Sequence, residues 1–259
     1  MKLLFLGTGT SVGVPAIGCG CAVCRSDDPR NKRLRPSVVV ESGETRILVD
    51  ASPDLRTQAL THGLSSISAV LITHTHADHI FGFDDVRGFN VHGASATPVY
   101  GIPEAITDMR RIFPYVLGDP DEPGRYRANV EFVEVSGPFE AGPIRIQPIP
   151  VIHHPHPTIG YLFEDAGKRI AYVPDASEVP DETVEFLAGV DVMILDGLRH
   201  RPHFSHMTVE QSVGILRRIG AGHSYLTHMC HDLDHAETER DLPETIHLAY
   251  DGLVLDLQA

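Results

Sequence analysis

With 259 residues, 42% hydrophobic and 22% charged, the chain has the make-up of a globular protein with a sizeable core, not of a disordered or fibrous one. Acidic side chains outnumber basic ones 35 to 21, giving a formal charge of -14. That balance argues against a long nucleic acid or an anionic membrane as partner, because Lys and Arg are what hold a polyanion; a small phosphorylated substrate remains compatible with it.

No apolar run approaches the roughly 20 residues that span a bilayer. Lys2 is followed by only a short apolar stretch before Gly7, too little for a signal-peptide core. The expected location is the cytoplasm, where thiols stay reduced. The four cysteines are therefore expected as metal ligands or free thiols. A homodimer is admitted but not dictated.

Taken in chain order, short strands are predicted at 3–6, 37–41, 46–50 and 69–73, and helices at 53–62 and 103–113. Residues 118–127 are rich in Pro, Gly and charge and read as an exposed loop or lid. The alternation resumes with strands at 144–152, 160–164, 169–173, 191–195 and 224–227, and helices at 181–187 and 208–219. Thr208 is placed to cap the last of these, with Gln211 three residues on. Residues 248–250 and 253–257 suggest a closing hairpin around Asp251-Gly252. Strand segments such as AVLIT and VMIL are apolar on both faces, as in sheets covered on both sides. No low-complexity linker interrupts 1–259, which reads as one domain.

The densest chemistry lies in His74-Thr75-His76-Ala77-Asp78-His79, directly after the strand at 69–73. Imidazoles and a carboxylate together suit zinc, manganese or iron. Four donors exceed what one catalytic ion usually takes from protein, so two ions are expected, completed by groups after later strands. Candidates are Asp175 after 169–173, His228 after 224–227, and one of His153, His154 and His156 after 144–152. A second cluster, Cys19, Cys21 and Cys24, needs one imidazole to close a tetrahedral structural zinc site. His231 is the expected fourth ligand; neighbouring Cys230 is the alternative, read as a small buried side chain.

The His74-x-His76-x-Asp78-His79 pattern, with single later His, Asp and His positions, resembles the metallo-β-lactamase superfamily. The Cys-x-Cys-x2-Cys site with His228-x2-His231 and the opening 6–11 (LGTGTS) is similar to the PhnP family of phosphoribosyl cyclic phosphodiesterases. The resemblance implies an α/β fold, a four-layer αββα sandwich of two mixed sheets. It implies one ion on His74, His76 and His154, a second on Asp78, His79 and His228, and Asp175 bridging, with Mn2+ or Zn2+ bound. Asp50 would support the metal loop. By the same resemblance His206 would contact phosphate or protonate the leaving oxygen, and Asp78 counts with His206 among the catalytic groups. The implied activity is hydrolysis of small, cyclic phosphodiesters, phosphoribosyl 1,2-cyclic phosphate first, by a water readied between the ions. Rival readings are a ribonuclease Z-like enzyme, a thioester or lactone hydrolase, and a PqqB-like accessory protein. Arg87 either forks onto a substrate phosphate or pairs with Asp84 or Asp85. His200 and His203 stay open between solvated loop and site.

Overall fold

The computed structural model describes residues 1–90, 95–117 and 127–257. In chain order its strands are β1 (Lys2–Gly7), β2 (Ser37–Ser42), β3 (Thr45–Val49), β4 (Ala69–Leu71), β5 (Thr97–Gly101), β6 (Val130–Glu134), β7 (Phe139–Ala141), β8 (Ile144–Val151), β9 (Thr158–Asp165), β10 (Lys168–Val173), β11 (Val192–Asp196), β12 (His223–Thr227), β13 (Ile246–Leu248) and β14 (Val254–Asp256). The α-helices are α1 (Ala22–Arg25), α2 (Leu55–His62), α3 (Ala77–Ile80), α4 (Arg87–Asn90), α5 (Pro103–Ile112), α6 (Asp181–Phe186), α7 (Val209–Ile219) and α8 (His235–Asp241). The expected loop at 118–127 falls outside the described residues except for Arg127.

The strands form two 7-stranded sheets, ordered β14-β1-β2-β3-β4-β5-β6 and β13-β12-β11-β10-β9-β8-β7. Each is mixed on the same plan. From β14 to β3 and from β7 to β10 neighbours run antiparallel; from β3 to β6 and from β10 to β13 they run parallel.

The two-faced apolar strands explain the layering, because pleating sends alternate side chains to opposite faces. In β10 and β11, Ile170, Tyr172, Val192 and Ile194 face the first sheet and pack with Phe5, Val38, Ile47 and Leu71. The intervening Ala171, Val173, Met193 and Leu195 pack instead on Val184 of α6 and Leu216 of α7. The first sheet does likewise: Leu48 and Val70 face Leu55 of α2 and Met109 of α5. This is the αββα sandwich that the resemblance implied. Thr208 caps α7 in the expected capping box with Gln211. Among the described residues no helix is long and apolar enough to cross a membrane.

Direction, not proximity in sequence, gathers the site. β10, β11 and β12 run parallel, and β8 shares their direction because it and β10 both pair antiparallel with β9. Their carboxyl ends thus lie on one edge, where α/β sheets assemble sites.

The expected hairpin near the end does not form. β13 adds parallel to β12 in the second sheet, whereas β14 pairs antiparallel with β1 in the first. The connecting turn is pulled away from hairpin closure by Asp251, whose carboxylate accepts from Thr8 N–H at 2.9 Å, the Thr8 hydroxyl at 2.7 Å and Leu34 N–H at 2.7 Å. Strands β5, β6 and β7 and helix α8 are elements the sequence reading did not place.

Gly82, just past α3, donates its N–H to Ala51 O at 2.9 Å, and a Cβ there would run into the Ser52 carbonyl. Gly82→Ala is expected to destabilise by about 1–3 kcal/mol or more. The check is a lower urea midpoint at unchanged slope; an unshifted midpoint would show that this approach constrains nothing.

Candidate metal centres

The 74–79 turn leaves β4 and immediately begins α3, so its side chains converge over the strand end. His74 Nε2 lies 2.9 Å from His76 Nδ1, and His153 Nε2 lies 3.3 Å from that same nitrogen. Asp175 Oδ2 is 3.8 Å from both His74 Nε2 and His153 Nε2. These four side chains form one donor set.

A second set, Asp78, His79 and His228, adjoins it. Asp78 Oδ2 is 3.5 Å from His79 Nε2 and 3.3 Å from His228 Nε2. Asp175 reaches this set too, with Oδ1 3.1 Å from His79 Nε2 and Oδ2 3.3 Å from His228 Nε2. Two residues that aim these groups carry left-handed backbone, Asp50 at φ 62° and His228 at φ 59°. Such a conformation is costly for a side chain with a Cβ and concentrates at functional sites. Asp50 Oδ2 sits 2.7 Å from His79 Nδ1, and the Thr73 hydroxyl and N–H hold Asp50 at 2.8 and 2.9 Å. His206 stands at the rim, its Nδ1 2.7 Å from Asp196 Oδ2 and 3.9 Å from Asp175 Oδ2.

Elsewhere, Cys19, Cys21, Cys24 and His231 offer four donor atoms within 4.8 Å of one another. His231 Nδ1 is 3.3 Å from Cys19 Sγ and 3.4 Å from Cys21 Sγ. Cys230 is buried beside them but outside the set; its Sγ accepts from Asp232 N–H at 3.4 Å.

Residues 45–229 match the family described as "Beta-lactamase superfamily domain". The chain belongs to the metallo-β-lactamase superfamily. Within it, a diphosphatase of the PhnP family superposes with a TM-score of 0.91 at 42% identity, over 99% of this chain and 98% of that one. Coenzyme PQQ synthesis protein B of Methylorubrum populi is 30% identical over 224 residues, 76% of this chain and 73% of that protein. An octanoyltransferase of Porphyromonas gingivalis is 37% identical over 257 residues, 98% of this chain but 51% of that protein, so the chain spans about half of that relative's length.

The charges of this superfamily member fit cations at both sets. Burial, then the neighbouring His79, holds the His74 ring well below its ordinary pKa, and burial with His153 brings His76 down to about 4. Burial opposes ionisation of Asp175, yet His228, His79 and His74 outweigh it and keep the carboxyl ionised. His79 is driven upward against its burial by Asp175, Asp78 and Asp50. A ring ringed by three buried carboxylates marks a place where positive charge is wanted. His79 Nε2 and Asp175 Oδ1, both buried and 3.1 Å apart, form an ion-pair contact without the alignment of a hydrogen bond. Buried polar atoms left without partners are rare in native structures, and a divalent ion would satisfy both. At the cysteines, the Cys24 N–H and His231 pull Cys21 down to about 6, while burial pushes Cys24 up to about 11; a shared zinc would stabilise all three as thiolates.

The structure corrects one expected ligand. His153, not His154, faces His76 and Asp175; His153 is buried and His154 exposed. β8 ends at Val151, and Ile152 is held by a backbone bond to Glu178 O at 3.0 Å, so the next side chain turns inward. His153 Nδ1 is tied 2.6 Å from Ser205 O, leaving Nε2 for the cluster. Sequence reasoning also missed Asp196, whose position at the end of β11 was its only signal. Arg87 pairs with Asp84 at 3.2 Å and is not among the clustered groups; Asp84 also accepts from the Tyr115 hydroxyl at 2.9 Å. His200 is paired with Glu210 at 2.6 Å on the surface. His203 lies beside His206, ring centroids 5.2 Å apart.

Metal counting tests the corrected assignment. His153→Ala should bind one equivalent fewer than wild type after loading and desalting, and His154→Ala should bind the same number; the reverse pattern would restore His154. A second prediction concerns Asp196. Burial would lower the His206 pKa, but the Asp196 carboxylate, then Asp175 and Asp78, raise it to about 9. In metal-free protein the imidazolium therefore persists up to about pH 9, and its contribution to stability is full below the unfolded-state value near 6.5 and lost as pH rises through about 9. Proton NMR titration should place the ring near 9 in wild type and at least about one unit lower in Asp196→Asn. Equal titrations would remove Asp196 as the cause.

Proposed function

We propose that this chain is a dinuclear metallohydrolase acting on small phosphodiesters, with Mn2+ or Zn2+ in the paired site and a structural zinc at the thiolates. The observation that carries the reading is Asp175, whose two oxygens serve adjoining donor sets while His206 stands beside it. Two divalent ions held there would supply Lewis acidity toward a phosphoryl group and ready a water for attack at neutral pH.

The chain's own residues do the rest. Asp50 fixes the His79 ring by accepting a hydrogen bond from its Nδ1–H, so that Nε2 points into the site. Ser205 O does the same for His153. Asp196 accepts from the His206 Nδ1–H and from Ala176 N–H at 3.0 Å, so it both charges and positions that ring. At 11% side-chain exposure, His206 borders the solvent and can hand a proton to the departing oxygen. The acidic surface favours a small substrate over a whole RNA. The PhnP-family likeness supports cyclic ribose or nucleotide phosphates, and the neighbour named as a diphosphatase favours P–O–P linkages as a second reading. Reduced thiols at the zinc site suit the cytoplasm.

Metal-loaded protein should hydrolyse diesters or diphosphates at least about 100-fold faster than monoesters or thioesters, and His76→Ala should lose at least about 100-fold in kcat/KM while its circular dichroism is kept. The thioester arm addresses the octanoyltransferase relative. Preferred turnover of a thioester would overturn the phosphodiester reading.

A further inference from the structure

The site does not end at His206. Ring centroids of His79 and His228 are 5.9 Å apart with 14° between planes, and those of His228 and His206 are 4.6 Å apart at 15°. From His206 the succession continues to His203 at 5.2 Å and 43°, and from His203 to Phe204 at 5.0 Å and 33°. The first two rings are buried and the last is 78% exposed. A run of planar groups thus leads from the metal-binding carboxylates to open solvent.

Single exposed apolar side chains are common and need no explanation. Phe204 differs in how it is held. Arg199 donates to the carbonyls of Arg201 and Pro202, both at 3.1 Å. Arg201 is anchored to Asp232 by bonds of 3.0 and 2.6 Å. On the other side, Ser205 bonds to His203 Nδ1 at 3.2 Å, and Ser205 O is the partner of the His153 ring. The backbone on either side of Phe204 is therefore held, on one side by the same segment that orients a metal-site histidine, and the Phe204 ring lies against His203. A ring carried on a held backbone loses less freedom when something stacks on it than one on a loose loop.

We propose that Phe204, backed by His203, is a stacking platform for a nucleobase, and that the substrates are nucleoside-bearing phosphodiesters or diphosphates. This rests on the hydrolase reading of the adjoining site. With phosphate at the cluster and His206, His203 stands between phosphate and platform as a sugar stands between phosphate and base. A base offers the π-face that aromatic side chains take in sequence-tolerant fashion, and the charge of -14 favours a small nucleotide over a long nucleic acid.

The test uses metal-loaded protein and internal ratios. Thymidine 5′-(4-nitrophenyl phosphate) and ethyl 4-nitrophenyl phosphate share a leaving group and differ in the nucleoside. Their kcat/KM ratio should fall roughly tenfold in Phe204→Ala and be kept in Phe204→Trp. In parallel, calorimetry compares Kd for AMP and for ribose 5-phosphate, and Phe204→Ala should weaken AMP relative to ribose 5-phosphate by a similar factor. Unchanged ratios in both assays would overturn the platform while leaving the hydrolase standing. If neither ester is cleaved, the hydrolase reading fails and the two Kd values alone decide whether the base is bound.

Discussion

Asp50, Asp78, Asp175 and Asp196 come together where the two sheets meet, and none is more than 7% exposed. Among the described residues their ion pairs are all with histidines. Taking a carboxylate out of water costs several kcal/mol unless a positive partner compensates it, and these carboxylates accordingly drive His79 and His206 toward the charged form. The two rings that the carboxylates charge answer part of this buried negative charge, and divalent cations at the donor sets would answer the rest. The sheet plan serves that requirement: parallel strands from both halves deliver their carboxyl ends to one edge, and the paired donor sets grow from those ends.

Around this crease the polypeptide is fastened by groups that do no chemistry. The fully buried Arg33 donates to the carbonyls of Cys230 at 2.9 Å and Leu233 at 2.8 Å, pinning the segment after His228 to the N-terminal region. Thr8 O accepts from Met229 N–H at 2.9 Å, and Thr10 N–H returns a bond to Met229 O at 3.1 Å. The LGTGTS turn is therefore a backbone brace for the His228 loop. Its role is compatible with its lack of the lysine that a phosphate-binding loop would carry.

Much of the paired site was legible in the sequence because four of its donors are contiguous and the others follow apolar strands. What escaped was decided at the scale of one residue. His153 and His154 are neighbours, and which one points inward depends on the bridge at Ile152 and a loop without periodic spacing. Asp196 is a single carboxylate at the end of an apolar strand, and nothing local distinguishes it from a solvated one. The late turn around Asp251 carries hairpin chemistry, but long-range bonds to Thr8 and Leu34 override it. Strands β5 and β6 lie toward the first sheet's far edge, where Thr97–Gly101 and Val130–Glu134 are short and partly polar. The sandwich itself was readable because doubly apolar strands admit few alternatives.

The pairing of Cys19 with His231 joins positions 212 residues apart, and that of Asp78 with His228 spans 150. During ribosomal synthesis, which runs from the amino end, neither donor set can close until the segment of the polypeptide carrying His228 and His231 has emerged. Its nascent thiols and imidazoles must pass through that interval ungathered, open to whichever metals the surrounding solution offers. Fidelity of loading thus becomes a matter of timing and of ion supply as much as of ligand geometry.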